Sequence, residues 1–248
     1  MKRFLLVFAL ALVTSLFAHA VGVTLTARCF EAATFANAWK APLGGWQLVG
    51  DVFTDPADEK KLASKPGEGI AFNGPDGKTS HLITAKEFGD VELTVEFMVP
   101  KGSNSGVYLQ GRYEVQVYDS FGVASPGYID CGGIYQRWHE EPGIDDAQRG
   151  YEGFAPRVNA AKKPGEWQTF RIVFRAPKFD KDGNKTANAK FEKVWLNDVL
   201  IHDNVELTGP TRAPLFNDEK PTGPIMIQGD HGPVAYRNLK IVIPEHVY

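Results

Sequence analysis

Asn104-Ser-Gly-Val-Tyr-Leu-Gln-Gly-Arg-Tyr-Glu-Val-Gln-Val-Tyr-Asp119 decides the reading of this chain, because it places two opposite surfaces on one hairpin. From Val107 to Tyr118 the odd positions are Val107, Leu109, Gly111, Tyr113, Val115 and Val117, and the even ones are Tyr108, Gln110, Arg112, Glu114, Gln116 and Tyr118. Successive side chains of a strand point to opposite faces, so one face belongs to a core and the other is an array of amides, phenols, a guanidinium and a carboxylate. An ordinary solvent face would carry Lys, Glu, Thr and Ser. Planar amides and phenols instead hydrogen-bond and stack against polyhydroxylated molecules. The even face therefore reads as the floor of a sugar site, and the competing reading is a wet sheet face with a cross-strand Arg112–Glu114 pair.

Outward from this hairpin the same rhythm continues. Short apolar or alternating runs recur over 45–53, 70–73, 80–84, 91–99, 106–109, 113–118, 167–175, 190–196, 199–203, 224–228 and 234–243. Only residues 32–40 could hold a helical period, and then briefly. Pro75-Asp-Gly77, Lys181-Asp-Gly-Asn184 and Asn197-Asp198 fall where hairpins must turn and supply residues that tolerate positive φ. The fold class is all-β, a single two-sheet sandwich. Residues 21–44 form an N-terminal segment with weak ordering signals, and 45–248 form the domain.

Met1-Lys-Arg3, an apolar run over 4–17 and Ala18-His-Ala20 have the order of a secretory leader with its cleavage site. An exported protein is expected, periplasmic or extracellular, starting at Val21. The apolar run falls short of the roughly 20 residues of a membrane helix and no second one follows, so no membrane span is expected. Twenty-seven basic against 30 acidic residues give a net charge of −3. With no basic cluster, nucleic acid is excluded as a partner. Cys29 and Cys131 are too few for a disulfide scaffold or a structural zinc site, although an oxidising compartment would let them pair. No His-x-x-x-His or Cys-x-x-Cys spacing is present, so no catalytic transition metal and no other cofactor is expected, while an oxygen-liganded calcium ion leaves no sequence mark and stays open.

One segment breaks the rhythm. From Tyr135 to Pro164 strand signals are few, and a loop of this length inside a domain is usually functional when it carries aromatics such as Trp138, Tyr151 and Phe154. It is expected to overhang the polar face and to govern substrate choice more than stability.

Asn104-Ser-Gly-Val-Tyr108, Arg112-Tyr-Glu-Val-Gln-Val-Tyr-Asp-Ser120, Cys131-Gly-Gly-Ile-Tyr135, Ala155-Pro156 with Asn159, Pro164-Gly-Glu-Trp167, Leu196-Asn197, Gly223-Pro-Ile-Met-Ile-Gln-Gly-Asp-His-Gly232 and Tyr236-Arg-Asn238 follow one another along the chain. In that joint order they resemble the 3-keto-disaccharide hydrolase family, over about 45–242. The resemblance implies a concanavalin A-like jelly-roll sandwich, exported by bacteria, that acts on glycosides whose sugar has been oxidised to a 3-ketone. The chain departs from many relatives after Tyr135, where Gln136-Arg-Trp-His139 and an insertion replace a shorter connection.

A conventional glycosidase needs two carboxyls about 5–5.5 Å or about 6.5–9.5 Å apart. Laminarinase-like sandwiches supply them from Glu-x-Asp-x-x-Glu, whereas this chain has Glu114-Val-Gln-Val-Tyr-Asp119. A 3-keto sugar offers an easier route, since the carbonyl acidifies the neighbouring C2–H and an enolate can expel the C1 substituent, with water then adding back. That chemistry needs one base, donors for the enolate oxygen and a proton for the leaving oxygen. Glu114 is the first choice for the base and Arg112 for the oxygen. His231, in a Gly-flanked loop, can approach a ligand closely and move a proton. Glu96 joins the array if its strand neighbours the hairpin, and Asp119 is either a further carboxylate or a turn cap. Asn104, Tyr108, Gln110, Gln116, Tyr135, Trp138, Gln228 and Asp230 are the expected contacts to an oligosaccharide or glycoside. A non-catalytic carbohydrate-binding module and an ordinary glycoside hydrolase remain the alternatives.

Overall fold

The computed structural model describes Val23–Leu25 and residues 29–244, so the leader expected over 1–20 lies outside the described residues. The chain opens with β1 (Val23–Leu25), a short helix α1 (Ala32–Ala38), β2 (Gln47–Asp55), β3 (Asp58–Phe72), β4 (Leu82–Phe88) and β5 (Val91–Met98). The central hairpin is β6 (Asn104–Leu109) and β7 (Tyr113–Tyr118). The two-residue strands β8 (Arg137–Trp138) and β9 (Gly150–Tyr151) flank the single turn α2 (Asp146–Arg149). After them come β10 (Gln168–Arg175), β11 (Lys178–Phe179), β12 (Lys185–Ala187), β13 (Ala189–Leu196), β14 (Val199–Leu207), β15 (Gly223–Ile227) and β16 (Ala235–Ile243).

Two antiparallel sheets carry the fold. One has eight strands in the order β14-β13-β10-β5-β16-β3-β2, with β1 added on β16, and the other has four in the order β4-β15-β6-β7. Leu93, Val95 and Phe97 of β5 with Phe170, Ile172 and Phe174 of β10 form one inner face. Val107, Leu109, Tyr113, Val115 and Val117 of the hairpin, with Ile225 and Ile227 of β15, form the other. Tyr113 meets Phe174 at 5.4 Å between ring centroids, and Ser105 Oγ shares a 2.8 Å hydrogen bond with Tyr236 Oη across the sandwich. This is the expected jelly-roll sandwich, and the odd residues of the hairpin are its core. Residues before β2 also pack on it: Phe35 and Trp39 are buried, and the Trp39 indole donates to Cys29 O at 3.0 Å. Cys29 and Cys131 are buried free thiols.

Turn chemistry follows the sequence where the residues can take positive φ. Asn197 and Asp198, at φ 51° and 65°, join β13 to β14. The Leu109–Arg112 turn uses Gln110 at φ 55° and Gly111 at φ 64°. The run read as 70–73 is the end of the much longer β3, whose first part pairs with β2 as an exposed ribbon rich in Lys and Glu. Val52 and Leu62 are the buried exceptions in that ribbon, packed with Val49, Ile70 and Phe72 in a small core cluster, and the charges along the rest of it protect it from pairing with other chains.

The even face of the hairpin is not wet. Tyr108, Gln110, Arg112, Glu114 and Gln116 are all buried. Residues 131–135 and 208–222 fold back over them and close the free edge of β7. Gln116 N donates to Gly133 O at 2.8 Å, Gly132 N to Gln116 O at 2.8 Å and Tyr135 N to Glu114 O at 3.2 Å. Thr211 N donates to Arg112 O at 2.9 Å, and Thr211 Oγ1 accepts from Glu114 N at 3.1 Å. The edge groups that would otherwise be unpaired thereby fix the position of both covering segments.

Candidate active site

Between the hairpin and these covering segments lies a cleft of about 260 Å³, lined by Asn104, Tyr108, Glu114, Gln116, Tyr135, Arg212, Ala213, Gln228 and His231. The hairpin parity brings the first four together, since Tyr108 pairs directly with Glu114, and Asn104 and Gln116 lie on the same face. Gln228 joins them because its N–H donates to Gly106 O at 3.0 Å beyond the end of β15. Gly106 is what leaves room for the carboxyl: a Cβ there would stand 2.2 Å from Glu114 Oε1. A glycine inside a strand often marks such a close approach.

Glu114 is 3% exposed and forms no ion pair among the described residues. Burial pushes its carboxyl up to about 8, opposed by the hydrogen bond that the Tyr108 hydroxyl donates to it. Burial and the neighbouring Glu114 hold the Tyr108 phenol well above its ordinary value. Burial and Glu114 also raise Tyr135, while a hydrogen bond from Arg212 and its charge act in the other direction. Asn104 Oδ1, Gln116 Oε1 and Gln228 Oε1 are buried without a hydrogen-bond partner among the described residues. An unpaired buried polar atom costs about 1–3 kcal/mol, so the cleft holds three acceptors that a ligand's hydroxyls would satisfy. At the rim His231 Nδ1 is 2.5 Å from Asp230 Oδ1, and its Nε2 has no hydrogen bond among the described residues.

Four expected residues lie elsewhere. Arg112 turns away at the closed end of the hairpin: its Nη1 donates to Gln110 O at 3.0 Å and its Nη2 to Asp218 Oδ1 at 2.8 Å, its Nε bonds Asp218 O, and its guanidinium covers the Phe216 ring at 4.7 Å. It clamps the 208–222 segment and is not placed to hold a substrate oxygen in the cleft. Gln110 belongs to the same turn, with its amide donating to Phe88 O at 3.2 Å and Pro221 O at 3.0 Å. Glu96 is in the opposite sheet, bonded at 2.7 Å to both Arg237 Nε and Asn238 Nδ2, because β5 pairs with β10 and β16 rather than with the hairpin. Asp119 caps the turn, accepting from Gly102 N at 2.9 Å.

Arg212 and Ala213 were not among the residues singled out. Arg212 lies in a Gly-Pro-Thr-Arg loop with no strand signal, and it reaches the cleft because Thr211 is tied to β7 and Arg212 N donates to Gln136 O at 2.7 Å. Ala213 follows in the left-handed region at φ 56°, a conformation that non-glycine residues hold chiefly where surroundings impose it. Trp138 touches the site indirectly, with the Arg212 guanidinium stacked 3.6 Å over its ring. Of the insertion's other aromatics, Tyr151 stacks on His139, and Phe154 is bridged to Ile134 and packs against the core. Of the insertion's aromatics, Trp138 is thus joined to the cleft through Arg212, while Phe154 packs against the core.

Replacing Arg112 by Ala is expected to lower stability by about 2 kcal/mol or more, since hydrogen bonds to charged groups contribute about 1.5–3 kcal/mol each and Asp218 itself is half exposed. Urea denaturation of the variant checks this, and an unchanged midpoint would show that the clamp is dispensable.

Residues 28–242 match the model of a 3-keto-alpha-glucoside-1,2-lyase-like domain. Among solved structures the chain is similar to a Parabacteroides distasonis protein provisionally described as a glycosyl hydrolase, at 27% identity and a TM-score of 0.53, covering 81% of this chain and 79% of that one. A second protein from that organism with the same provisional description is 17% identical with a TM-score of 0.46, over 86% of this chain and 97% of that one. Alginate lyase vAL-1 from a Chlorella virus is 12% identical with a TM-score of 0.42, over 86% and 98%. A search of the curated proteins gave no match.

Proposed function

The chain belongs to the 3-keto-alpha-glucoside-1,2-lyase-like family, and on that premise we propose that its cleft binds a glycoside bearing a ketone at C3 and eliminates the C1 substituent. Family membership and the likeness to a provisionally described glycosyl hydrolase support a carbohydrate-acting enzyme. The observation that carries the finer reading is Glu114: a buried carboxyl, pushed up to about 8 by burial and without an ion pair among the described residues, sits among amide acceptors that have no partner there either. A binding module gains nothing from a carboxyl held at that cost, whereas a proton-abstracting enzyme needs a base tuned close to its working pH.

In the proposed reaction the ionised Glu114 takes the proton from C2, and the C–H electron pair is delocalised onto the C3 oxygen. Arg212 and Tyr135 are the donors that meet this developing charge. Collapse of the enolate forms the C1=C2 double bond and breaks the C1–O bond, and the leaving oxygen takes a proton from His231, which Asp230 orients. Glu114 ends protonated and His231 deprotonated, so exchange with solvent restores both. Water adding across C1=C2 gives the free 3-keto sugar, and the net change is then hydrolysis. An ordinary glycosidase mechanism fits less well, because Glu114 is the one carboxylate among the described residues lining the cleft and that mechanism needs two. Export is part of the same proposal, resting on the leader-like Met1–Ala20.

The test is incubation in heavy water with a glucose disaccharide before and after oxidation at C3. Turnover of the oxidised sugar alone, with deuterium at C2 of the product, is the expected result. Turnover of the parent sugar without exchange at C2 would favour the ordinary hydrolase, and binding without turnover of either would favour a binding module.

A further inference from the structure

Among the described residues, Arg212 is the one arginine or lysine that lines the cleft, and no carboxylate holds it there. Its guanidinium lies over Trp138 instead, with Cζ 3.6 Å from the ring centroid. Three other guanidiniums that lie over rings are each held by a carboxylate as well: Arg112 over Phe216 by Asp218 at 2.8 Å, Arg137 over Tyr151 by Glu152 at 3.5 Å, and Arg237 over Trp167 by Glu96 at 2.7 Å. Arg171 over Trp195 has no carboxylate among the described residues either, but it is exposed on β10, where water weakens its field. The ring beneath Arg212 is fastened from both sides. Trp138 pairs with Gly150 in the β8–β9 ribbon, and Gln136 O accepts from Arg212 N at 2.7 Å. Between them Arg137 bonds the Thr208 hydroxyl, which in turn donates to Glu152 at 2.7 Å. Residues 136–138 and 208–212 are thus tied together at two points.

We infer that Trp138 is a positioning residue: by stacking rather than pairing, it fixes the Arg212 guanidinium in the cleft and leaves its positive charge free for the oxygen that becomes negative in the reaction. The inference rests on the reaction proposed above, in which Arg212 meets that charge. A carboxylate would fix the side chain equally well, but it would cancel much of the charge before any formed on the substrate. A ring attracts a cation through its quadrupole and carries no net charge, so the guanidinium keeps its own. The N–H donors lie in the guanidinium plane, and contact at its face leaves them directed outward. In a cleft removed from water such a charge acts strongly where charge develops. The stack also accounts for Glu114 and Arg212 sharing one cleft without pairing. A guanidinium held on Trp138 does not collapse onto the carboxylate, a contact that would disable base and donor together.

The experiment measures kcat and KM on methyl 3-keto-glucoside for the full-length protein and for Trp138→Leu, Trp138→Phe, Arg212→Gln and the double variant Trp138→Leu with Arg212→Gln. Trp138 is half-buried and outside the sandwich core, so its variants should melt within a few degrees of the native protein. Arg212→Gln is expected to lower kcat by about 10²–10³, the usual effect of removing one donor to a developing oxyanion. Trp138→Leu should lower kcat about 10–100-fold with KM changed by less than about threefold, and Trp138→Phe, which keeps a ring face, should recover most of that loss. Added to Arg212→Gln, Trp138→Leu should cost less than about twofold more, because the group it positions is gone. Additive losses in the double variant, a loss confined to KM, a Phe variant no better than Leu, or a Trp138→Leu protein that no longer folds would each overturn the positioning role. Impaired Arg212→Gln beside unimpaired Trp138→Leu would overturn this inference and leave the reaction intact. Fully active Arg212→Gln, or a native protein that does not turn over the 3-keto sugar, would remove the reaction reading and this inference with it.

Discussion

Replacing Glu114 by Gln is expected to lower kcat/KM on a 3-keto-glycoside by about 10²–10⁴, the usual contribution of a general base. Gln keeps the shape of the side chain and its fit against Gly106, so the loss is attributable to proton abstraction rather than to a displaced hairpin. The native carboxyl is pushed up to about 8 by burial, so the ionised form grows with pH and kcat/KM should rise with pH on the acid side, the rise being limited by the need for His231 to hold the proton it gives to the leaving oxygen. Steady-state assays from pH 5 to 9 on both proteins test this. A Glu114→Gln variant within tenfold of the native enzyme would remove Glu114 from the role of base, and the pH limb would then belong to another group.

The hairpin parity made the floor of the site legible, because Asn104, Tyr108, Glu114 and Gln116 share one face of adjacent strands whatever the rest of the fold does. Parity could not show that this face is divided along its length. At its open end it lines the cleft, whereas at the Gln110–Arg112 end the 215–223 segment covers it: Leu215 N donates to Gly111 O at 2.7 Å, and Arg112 holds Asp218. Glu96 was misplaced for a related reason, since alternation gives the face of a strand but not its neighbours, and β5 pairs within the opposite sheet. Arg212 was invisible because its approach depends on hydrogen bonds from Thr211 to a strand about a hundred residues earlier, which leave no periodic trace in a Gly-Pro loop. Gly106 is the opposite case. It lies on the even face between Asn104 and Tyr108, and the parity reading begun at Val107 passed it over, although a missing side chain within a strand is itself a sign that another group needs the space.

The same Glu114 should also set how stability depends on pH. Its folded pKa, about 8, lies above the ordinary 4.5, so between these values the native state holds a proton that the unfolded chain has released. Stability from this group is fully present below pH 4.5 and is lost as pH rises towards 8, at up to about 1.4 kcal/mol per pH unit. His202 acts in the opposite sense. Buried, with Nε2 2.7 Å from Gly132 O, it is lowered from 6.5 to about 4, so its contribution is present above pH 6.5 and lost as pH falls towards 4. From pH 4.5 to 6.5 the two slopes oppose one another, and from 6.5 to 8 Glu114 acts without that opposition. Chemical denaturation of the native protein should therefore show stability nearly level over the lower interval and falling by on the order of 2 kcal/mol over the upper one. Glu114→Gln, which has no proton to lose, should instead gain stability from pH 4.5 to 6.5, stay level above that, and be more stable than the native protein at pH 8. A native protein as stable at pH 8 as at 6.5, with no gain from Glu114→Gln, would mean that the carboxyl ionises in the ordinary range and that its burial is relieved by water or a bound cation.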